Sequence, residues 1–309
     1  MKRAVPELSL RDFTQGDVTA RAAFSHALMR GLQDYGFVVI RDHEVPIDLL
    51  DQAYAATAEV FALPEAAKQR YAAGMRGYTP FGVEHAKDSG KADLKEFWQV
   101  GHAPPPGAVI DEPFEANVWP EEVPAFRDAI EELFHRINET GMVILRALAP
   151  ELALKPDWFD DKVRWGTSLL RILHYPPVAD DVEEGAARSA AHEDINFITL
   201  MPAAKGAGLQ LLDRDGTWLP IVADPTCLIV DSGDMLARLT NGVIPATTHR
   251  VVNPEGPNVS RYSMPFFMHP TLATSLDVLP SCRGAGPVPP PITAGELLDE
   301  RLRAIGLKR

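Results

Sequence analysis

Two histidines and one aspartate in the second half of the chain have the residue types and the spacing of metal ligands. His192 and Asp194 stand two positions apart in a stretch that predicts a strand, and alternate strand residues point to the same face. His249 follows 57 positions after His192 (249 − 192 = 57), within a β-branched run that also predicts a strand. The pattern indicates that one strand end supplies two ligands and a second strand supplies the third.

Two imidazoles and one carboxylate make up the facial triad of non-haem iron(II) enzymes, which leaves three coordination positions open. A 2-oxo acid can take two of these positions through its carboxylate and keto oxygens, and dioxygen can take the third. Arg261 and Ser263 begin twelve positions after His249 (261 − 249 = 12). A guanidinium fork beside a hydroxyl suits the far carboxylate of a dicarboxylic co-substrate, because arginine binds carboxylates with two parallel hydrogen bonds.

Taken together, these residues resemble a known family. His192-x-Asp194, then His249, then Arg261-x-Ser263 is similar to the pattern of the iron(II)/2-oxoglutarate-dependent dioxygenases of the isopenicillin N synthase-like branch. His43-Glu44-Val45-Pro46 and the strand-like Lys95–Trp98 also resemble features of that family, so the likeness covers nearly the whole chain. The resemblance implies oxidation of a small organic molecule with Fe(II), O2 and 2-oxoglutarate, with release of succinate and CO2.

The resemblance also implies roles for further residues. His192, Asp194 and His249 are the expected iron ligands, and Arg261, Ser263 and Tyr175 are the expected 2-oxoglutarate contacts. Leu173 departs from the family pattern, because many relatives have an asparagine there, so we expect 2-oxoglutarate to be held differently or less tightly. By position in the family, four aromatic side chains are candidate walls of the substrate pocket: Tyr78, Phe81, Phe197 and Phe267.

Other functions remain open at the level of sequence. An oxidase like isopenicillin N synthase keeps the Arg-x-Ser pair without using an oxo acid, and an ethylene-forming enzyme is a further variant. A protein that binds or senses a small molecule without turnover is the non-enzyme alternative. A zinc hydrolase ranks last, because no general base is placed by spacing. The oxidation itself can be a hydroxylation, a desaturation or a ring closure.

The elements that must position these residues change in character along the chain. A first amphipathic helix is predicted from Asp17, a candidate N-cap, to Gly36. A second is predicted over Ile47–Phe61, and a third begins at Pro64. A long helix is predicted from Phe126 to Leu148, with Gly141 as an interruption. Phe37–Ile40 predicts a buried strand, 72–118 is irregular, and a last helix is expected over Ala294–Ile305. Six short β segments without intervening helices follow the long helix: Leu169–Tyr175, Phe197–Met201, Leu209–Leu212, Thr226–Asp231, Thr247–Val252 and Tyr262–Phe267.

This pattern predicts a mainly β protein with helices. Its core is a double-stranded β-helix (jelly-roll) with α-helices packed outside and an N-terminal α/β region. Residues 1–118 are expected to form that region without folding independently, and 119–309 to form the long helix, the jelly-roll core and a C-terminal tail.

Composition restricts the partners and the compartment. A net charge of −13 over 309 residues, with no cluster of Lys or Arg, argues against nucleic acid as a partner and weakly against an anionic membrane surface. No stretch approaches the length of a spanning helix, and no secretory signal is recognised at the N-terminus. Two cysteines far apart in the chain favour a reducing cytoplasm. The expected partner is therefore a small-molecule substrate, and the oligomeric state stays open.

Overall fold

A computed structural model describes residues 3–83, 93–104, 114–178, 187–204, 208–253 and 257–304 of the chain. In these ranges the helices are α1 Leu10–Thr14, α2 Val18–Tyr35, α3 Ile47–Phe61, α4 Glu65–Gln69, α5 Pro124–Leu148, α6 Asp160–Val163, α7 Asp234–Leu239 and α8 Ala294–Ala304. The strands are β1 Glu7–Ser9, β2 Phe37–Arg41, β3 Ala72–Ala73, β4 Arg76–Thr79, β5 Glu96–Gly101, β6 Leu169–Tyr175, β7 Ser189–His192, β8 Ile198–Pro202, β9 Leu209–Leu212, β10 Trp218–Pro220, β11 Leu228–Ser232, β12 His249–Val251, β13 Arg261–Ser263 and β14 Phe266–Met268.

The strands form two sheets. The major sheet has the order β1-β2-β11-β8-β14-β6-β5-β4-β3, with β13 added to β6 beside β14, and the minor sheet has the order β10-β9-β12-β7. Apolar side chains of both sheets share one cluster, in which Phe37 and Ile229 of the major sheet pack with Leu211 and Val251 of the minor sheet. The predicted jelly-roll core with outer helices is confirmed.

The N-terminal strands are built into the major sheet. β2 pairs antiparallel with β11, and β5 pairs antiparallel with β6 over six residue pairs from Glu96↔His174 to Gly101↔Leu169. β5 is buried along its whole length. Two strands of the segment before residue 119 therefore pair with strands that follow later in the chain.

Local signals in the sequence account for the first long helices. The side chain of Asp17 caps α2 by accepting a hydrogen bond of 2.9 Å from the amide of Ala20. Gly36 ends the helix in the left-handed conformation (φ +67°), which costs glycine little. The predictions of α2, α3 and the buried strand β2 are confirmed.

The long helix α5 lies against the major sheet. It contacts β8 and β14, and it runs through Gly141 without a break. A Cβ atom at Gly141 would lie 2.6 Å from Cε of Met268 and 3.0 Å from a methyl group of Leu200. The prediction of an interruption was wrong, because this glycine lets the helix approach the strands closely.

Other predicted elements differ in detail. The segment Tyr262–Phe267 forms two strands, β13 and β14, because Pro265 cannot donate a ladder hydrogen bond. A short helix, α7, separates β11 from β12, where no helix was expected. The segment 72–118, which was expected to be irregular, contains the strands β3, β4 and β5. Residues 84–92 and 105–113 lie outside the described residues, as does the predicted last residue of α8, Ile305. Within the described ranges, no helix is both long and apolar enough to cross a bilayer.

Candidate metal centre and co-substrate site

The predicted ligands His192, Asp194 and His249 come together at one end of the minor sheet. His192 ends β7, and His249 begins β12 directly opposite it in the antiparallel pair. Asp194 lies beyond the end of β7, in the turn that leads to β8, so the expectation that both members of His192-x-Asp194 share a strand face was wrong. The turn places the carboxylate beside both imidazoles.

The geometry of the three side chains suits a single ion. Nε2 of His192 lies 3.8 Å from Oδ1 of Asp194, and Nε2 of His249 lies 3.9 Å from the same oxygen. One candidate ligand atom from each residue lies within 4.8 Å of the other two. Asp194 and His249 are buried, and His192 is half-buried.

Hydrogen bonds orient all three groups. The Nδ1–H of His192 donates to the carbonyl of Ala190 (2.7 Å), and that of His249 donates to the carbonyl of Thr247 (3.1 Å). Both Nε2 lone pairs therefore face the centre, because a partner at Nδ1 fixes the tautomer and the ring orientation of a metal-binding histidine. Oδ2 of Asp194 accepts a hydrogen bond from the Thr199 hydroxyl, which leaves Oδ1 facing the rings.

Protonation favours the form of the histidine that binds metal. Burial, with the neighbouring imidazole of His249 as a second cause, lowers the pKa of His192 to about 4. The His192 ring is consequently neutral at neutral pH, as a ligand must be. Burial, together with the charge of Asp194, raises the pKa of Asp231, a further carboxyl group on the cavity wall. Two imidazole nitrogens and one oriented carboxylate fit Fe(II).

The cavity beside these ligands extends between the two sheets. Tyr175 and Ser263 line it together with His192, Asp194 and His249. The hydroxyl of Ser263 lies 3.0 Å from the sulfur of Met201. The cavity thus holds two of the three predicted 2-oxoglutarate contacts.

Arg261, the third predicted contact, is directly opposite Tyr175 in the pair of β13 and β6. Its guanidinium carbon lies 5.1 Å from the centre of the Tyr175 ring. The residue is 3% exposed, and its Nε and Nη1 have no hydrogen-bond partner in the described part of the protein. A buried guanidinium without acceptors is costly, so these atoms fit an anionic ligand such as a carboxylate.

The candidate substrate residues are distributed unevenly. Phe267 lines the cavity. Tyr78 is buried behind β5, where its hydroxyl bonds to Glu96, and Phe197 packs edge-on against Phe159. Phe81 is 49% exposed, and none of these three is on the described cavity wall.

Sequence reasoning missed several residues of this wall. Arg171, which was not among the predicted site residues, lines the cavity. Its guanidinium donates to the amide oxygen of Gln99 (3.0 and 3.1 Å) and lies over the rings of Phe97 (4.4 Å) and Phe267 (5.5 Å). The sequence could have indicated this residue, because in β6 it lies on the same strand face as Leu173 and Tyr175. Lys95, Thr199 and Asp231 also line the cavity.

Comparison with known proteins places the chain in a family. Residues 5–122 match the family described as non-haem dioxygenase in morphine synthesis N-terminal, and residues 166–270 match the 2OG-Fe(II) oxygenase superfamily. The chain is 31% identical to the 2-oxoglutarate-Fe(II) type oxidoreductase ppzD of Metarhizium majus, over 87% of this chain and 85% of that protein.

Solved structures agree with this placement. A 2OG-Fe(II) oxygenase family protein from Caulobacter crescentus is 41% identical, with a TM-score of 0.87 over 98% of this chain and 99% of that one. A full-length Neurospora crassa protein, solved in complex with alpha-KG, is 27% identical, with a TM-score of 0.86 over 96% of this chain and 95% of that one. The chain therefore belongs to the 2OG-Fe(II) oxygenase superfamily, and it is an oxidoreductase that oxidises small molecules with Fe(II), 2-oxoglutarate and O2.

Proposed function

We propose that His192, Asp194 and His249 bind the catalytic Fe(II) of this enzyme. The observation that carries the proposal is the convergence of two Nε2 atoms and one carboxylate oxygen, with both Nδ1 atoms held by main-chain carbonyls. That arrangement supplies three ligands from one side and leaves the cavity side open.

The co-substrate contacts follow from the same cavity. Arg261 binds the far carboxylate of 2-oxoglutarate, and Ser263 and Tyr175 add hydroxyl contacts near it. The buried Nε and Nη1 of Arg261 support this role, since they lack acceptors among the described residues. Leu173, on the cavity wall beside Tyr175, has no polar group to offer the oxo acid.

Bound Fe(II) supplies the centre at which O2 and the oxo acid react, giving succinate, CO2 and oxidation of the substrate. The chain contributes orientation and exclusion of water. Thr199 fixes one carboxylate oxygen of Asp194, so the other stays directed at the metal position. Apolar side chains such as Phe37, Leu209 and Val251 line the cavity and keep bulk water from the reacting groups.

The primary substrate is a small molecule that contacts the side chains of Phe267 and Arg171 in the cavity. The aromatic face and the guanidinium lie on the same wall, and Gln99 holds the guanidinium in place. The Neurospora crassa protein has also been solved with alpha-KG and thymine, in a structure that is 26% identical to this chain with a TM-score of 0.86. A compact polar molecule of a size similar to thymine is the substrate class we propose, and its oxidation can be a hydroxylation, a desaturation or a ring closure.

Anaerobic titration with Fe(II) and then 2-oxoglutarate tests the proposal. Chelation of ferrous iron by a 2-oxo acid at a facial triad gives a weak charge-transfer band at about 500 nm. We expect the band in the wild type and its loss in His249→Ala. Iron binding without a band would favour an oxidase that uses no oxo acid, and absence of iron binding would refute the ligand assignment.

The organisation of the chain carries further proposals. Residues 1–118 do not fold alone, which the pairing of β2 with β11 and of β5 with β6 supports. The net charge of −13 supports partners other than nucleic acid or an anionic membrane. A cytoplasmic location is supported by Cys227 and Cys282, which are both buried and unbridged.

A further inference from the structure

A second buried arginine bonds to the segment that leads into the strand of the proposed co-substrate arginine. Arg188 immediately precedes β7 and is 4% exposed. Its amide donates to Oδ1 of Asn253 (3.1 Å), and its Nη2 donates to the carbonyl of Val259 (2.6 Å). Its Nε is buried and has no hydrogen-bond partner among the described residues. The main chain and Nη2 of Arg188 are thus held by hydrogen bonds, while its Nε has no acceptor among the described residues.

The hydrogen bond to Val259 holds the Arg188 guanidinium at the segment that leads into β13, two positions before Arg261. Burial lowers the pKa of Arg188, and the positive charge of Arg261 lowers it further, while Tyr175 acts in the opposite direction. Within the described residues, neither arginine forms an ion pair with a carboxylate. Two like charges are therefore buried in the same part of the fold without an anion from the described residues, an arrangement that costs free energy unless a ligand compensates it.

Neighbours of both arginines line the cavity that holds the proposed metal ligands. Ser189, the next residue after Arg188, lines the cavity and pairs with Val251 of β12, another lining residue. Tyr175, over which the guanidinium of Arg261 lies, also lines it. The two arginines together have three buried nitrogens without acceptors among the described residues: Nε of Arg188, and Nε and Nη1 of Arg261.

We propose that Arg188 acts together with Arg261 to bind the far carboxylate of 2-oxoglutarate. The inference rests on the proposed function, in which Arg261 is the co-substrate arginine. A carboxylate has two oxygens and about four acceptor positions, which is enough for both forks. The second guanidinium supplies polar contacts that Leu173 does not, and it favours dicarboxylic over monocarboxylic oxo acids.

The test compares two oxo acids that differ only at the far end. 2-Oxoglutarate and 2-oxopentanoate share the chelating carboxylate and keto group, but 2-oxopentanoate lacks the far carboxylate. Binding of each to the Fe(II)-loaded protein is measured anaerobically by calorimetry and by the charge-transfer band. The variants are Arg188→Met, Arg188→Lys and Arg261→Met. The matched control is Arg76→Met, because Arg76 is also buried (8% exposed) and has an Nε without a partner among the described residues, but it lies on β4, which contributes no residue to the cavity lining.

We expect Arg188→Met to weaken 2-oxoglutarate binding by at least about tenfold and to leave 2-oxopentanoate binding unchanged. Arg188→Lys should fall between wild type and Arg188→Met, and Arg76→Met should bind both acids as the wild type does. Equal weakening of both acids in Arg188→Met would mean a structural role only and would overturn the inference, as would unchanged binding of both.

The design separates this inference from the proposed function. If Arg261→Met loses selectivity for 2-oxoglutarate and Arg188→Met keeps it, the role of Arg261 stands and that of Arg188 falls. If neither variant changes selectivity, the proposed co-substrate site itself is refuted. Thermal unfolding of each variant identifies any that fails to fold. If Arg188→Met does not fold, the binding of the two oxo acids is compared between Arg188→Lys and the wild type instead.

Discussion

The hydroxyl of Thr199 offers a direct test of how Asp194 is held. Thr199 is 3% exposed, donates to Oδ2 of Asp194 and accepts a hydrogen bond of 2.8 Å from the side-chain amide of Asn196. Valine has nearly the shape of threonine, so Thr199→Val removes the hydroxyl and little else. The carboxylate is then free to rotate away from the orientation that faces His192 and His249.

Two estimates of the effect agree. A hydrogen bond to a charged group contributes about 1.5–3 kcal/mol. Removal of an outer partner of a metal ligand typically lowers metal affinity by about 10- to 100-fold, which corresponds to about 1.4–2.8 kcal/mol. We therefore expect Thr199→Val to weaken Fe(II) binding by roughly one to two orders of magnitude without abolishing it.

The assay is anaerobic calorimetry of Fe(II) binding to the apoprotein, with Mn(II) as a redox-stable substitute. Thr240→Val is the matched control, because Thr240 is fully buried and its hydroxyl donates to the carbonyl of Leu236 (2.8 Å), but it does not line the cavity. Both variants lose a buried hydroxyl, and only Thr199→Val should lose metal affinity. Wild-type affinity in Thr199→Val, or an equal loss in Thr240→Val, would refute the reasoning.

Three further predictions concern stability. Lys68→Met should lower the free energy of unfolding by about 3–5 kcal/mol, because it removes the ammonium group that lies 2.6 Å from the buried carboxylate of Glu96. Arg136→Met, on the exposed face of α5, is the control and should cost no more than about 1 kcal/mol. Urea unfolding measures both variants. Gly141→Val should cost about 1–3 kcal/mol in the same assay by forcing α5 away from Met268, and an unchanged midpoint would mean that the helix has room there. Burial, with smaller contributions from His135 and Arg76, lowers the pKa of His102 from 6.5 to about 4. Between these pH values the unfolded chain binds a proton at His102 that the folded chain does not bind. The free energy of unfolding therefore falls as the pH falls. By pH 5 the loss from this residue is about 2 kcal/mol, and His102→Phe should show a correspondingly smaller drop between pH 7 and pH 5.

Elements with strong local signals were predictable. A side-chain cap at Asp17, a glycine at 36 and regular apolar spacing placed α2 within a residue of its ends. β6 and β9 match the predicted ranges because each is a short apolar run between turn residues. Patterns of this kind depend on neighbours in the sequence, which a single chain shows directly.

Features that depend on tertiary contact were not predictable in the same way. Gly141 looked like a helix breaker, and only its contact with Met268 and Leu200 shows why the helix needs it. Asp194 takes its position from the turn after β7 rather than from strand alternation. Chain turns of this kind do not appear in a residue pattern.

The residues of the candidate site also differ in whether the sequence alone could predict them. The His192-x-Asp194, His249 and Arg261-x-Ser263 pattern could be found by spacing, because it follows a fixed order along the chain. Arg188 and Thr199 could not be found in this way, because their relevance comes from the groups they bond to across the fold. Residues that support a site through contacts therefore need the structure to be recognised.

The direct pairing of His192 with His249 would give a metal held by the proposed ligands a second role. The two strands are adjacent through main-chain hydrogen bonds, and an ion held by both side chains joins them again, as a removable cross-link over a 57-residue segment. Closing a segment of that length lowers the entropy of the unfolded chain, so loading with metal should slow the opening of the minor sheet. Hydrogen exchange at the amides of β7 and β12 would then report metal occupancy directly, with no substrate and no turnover.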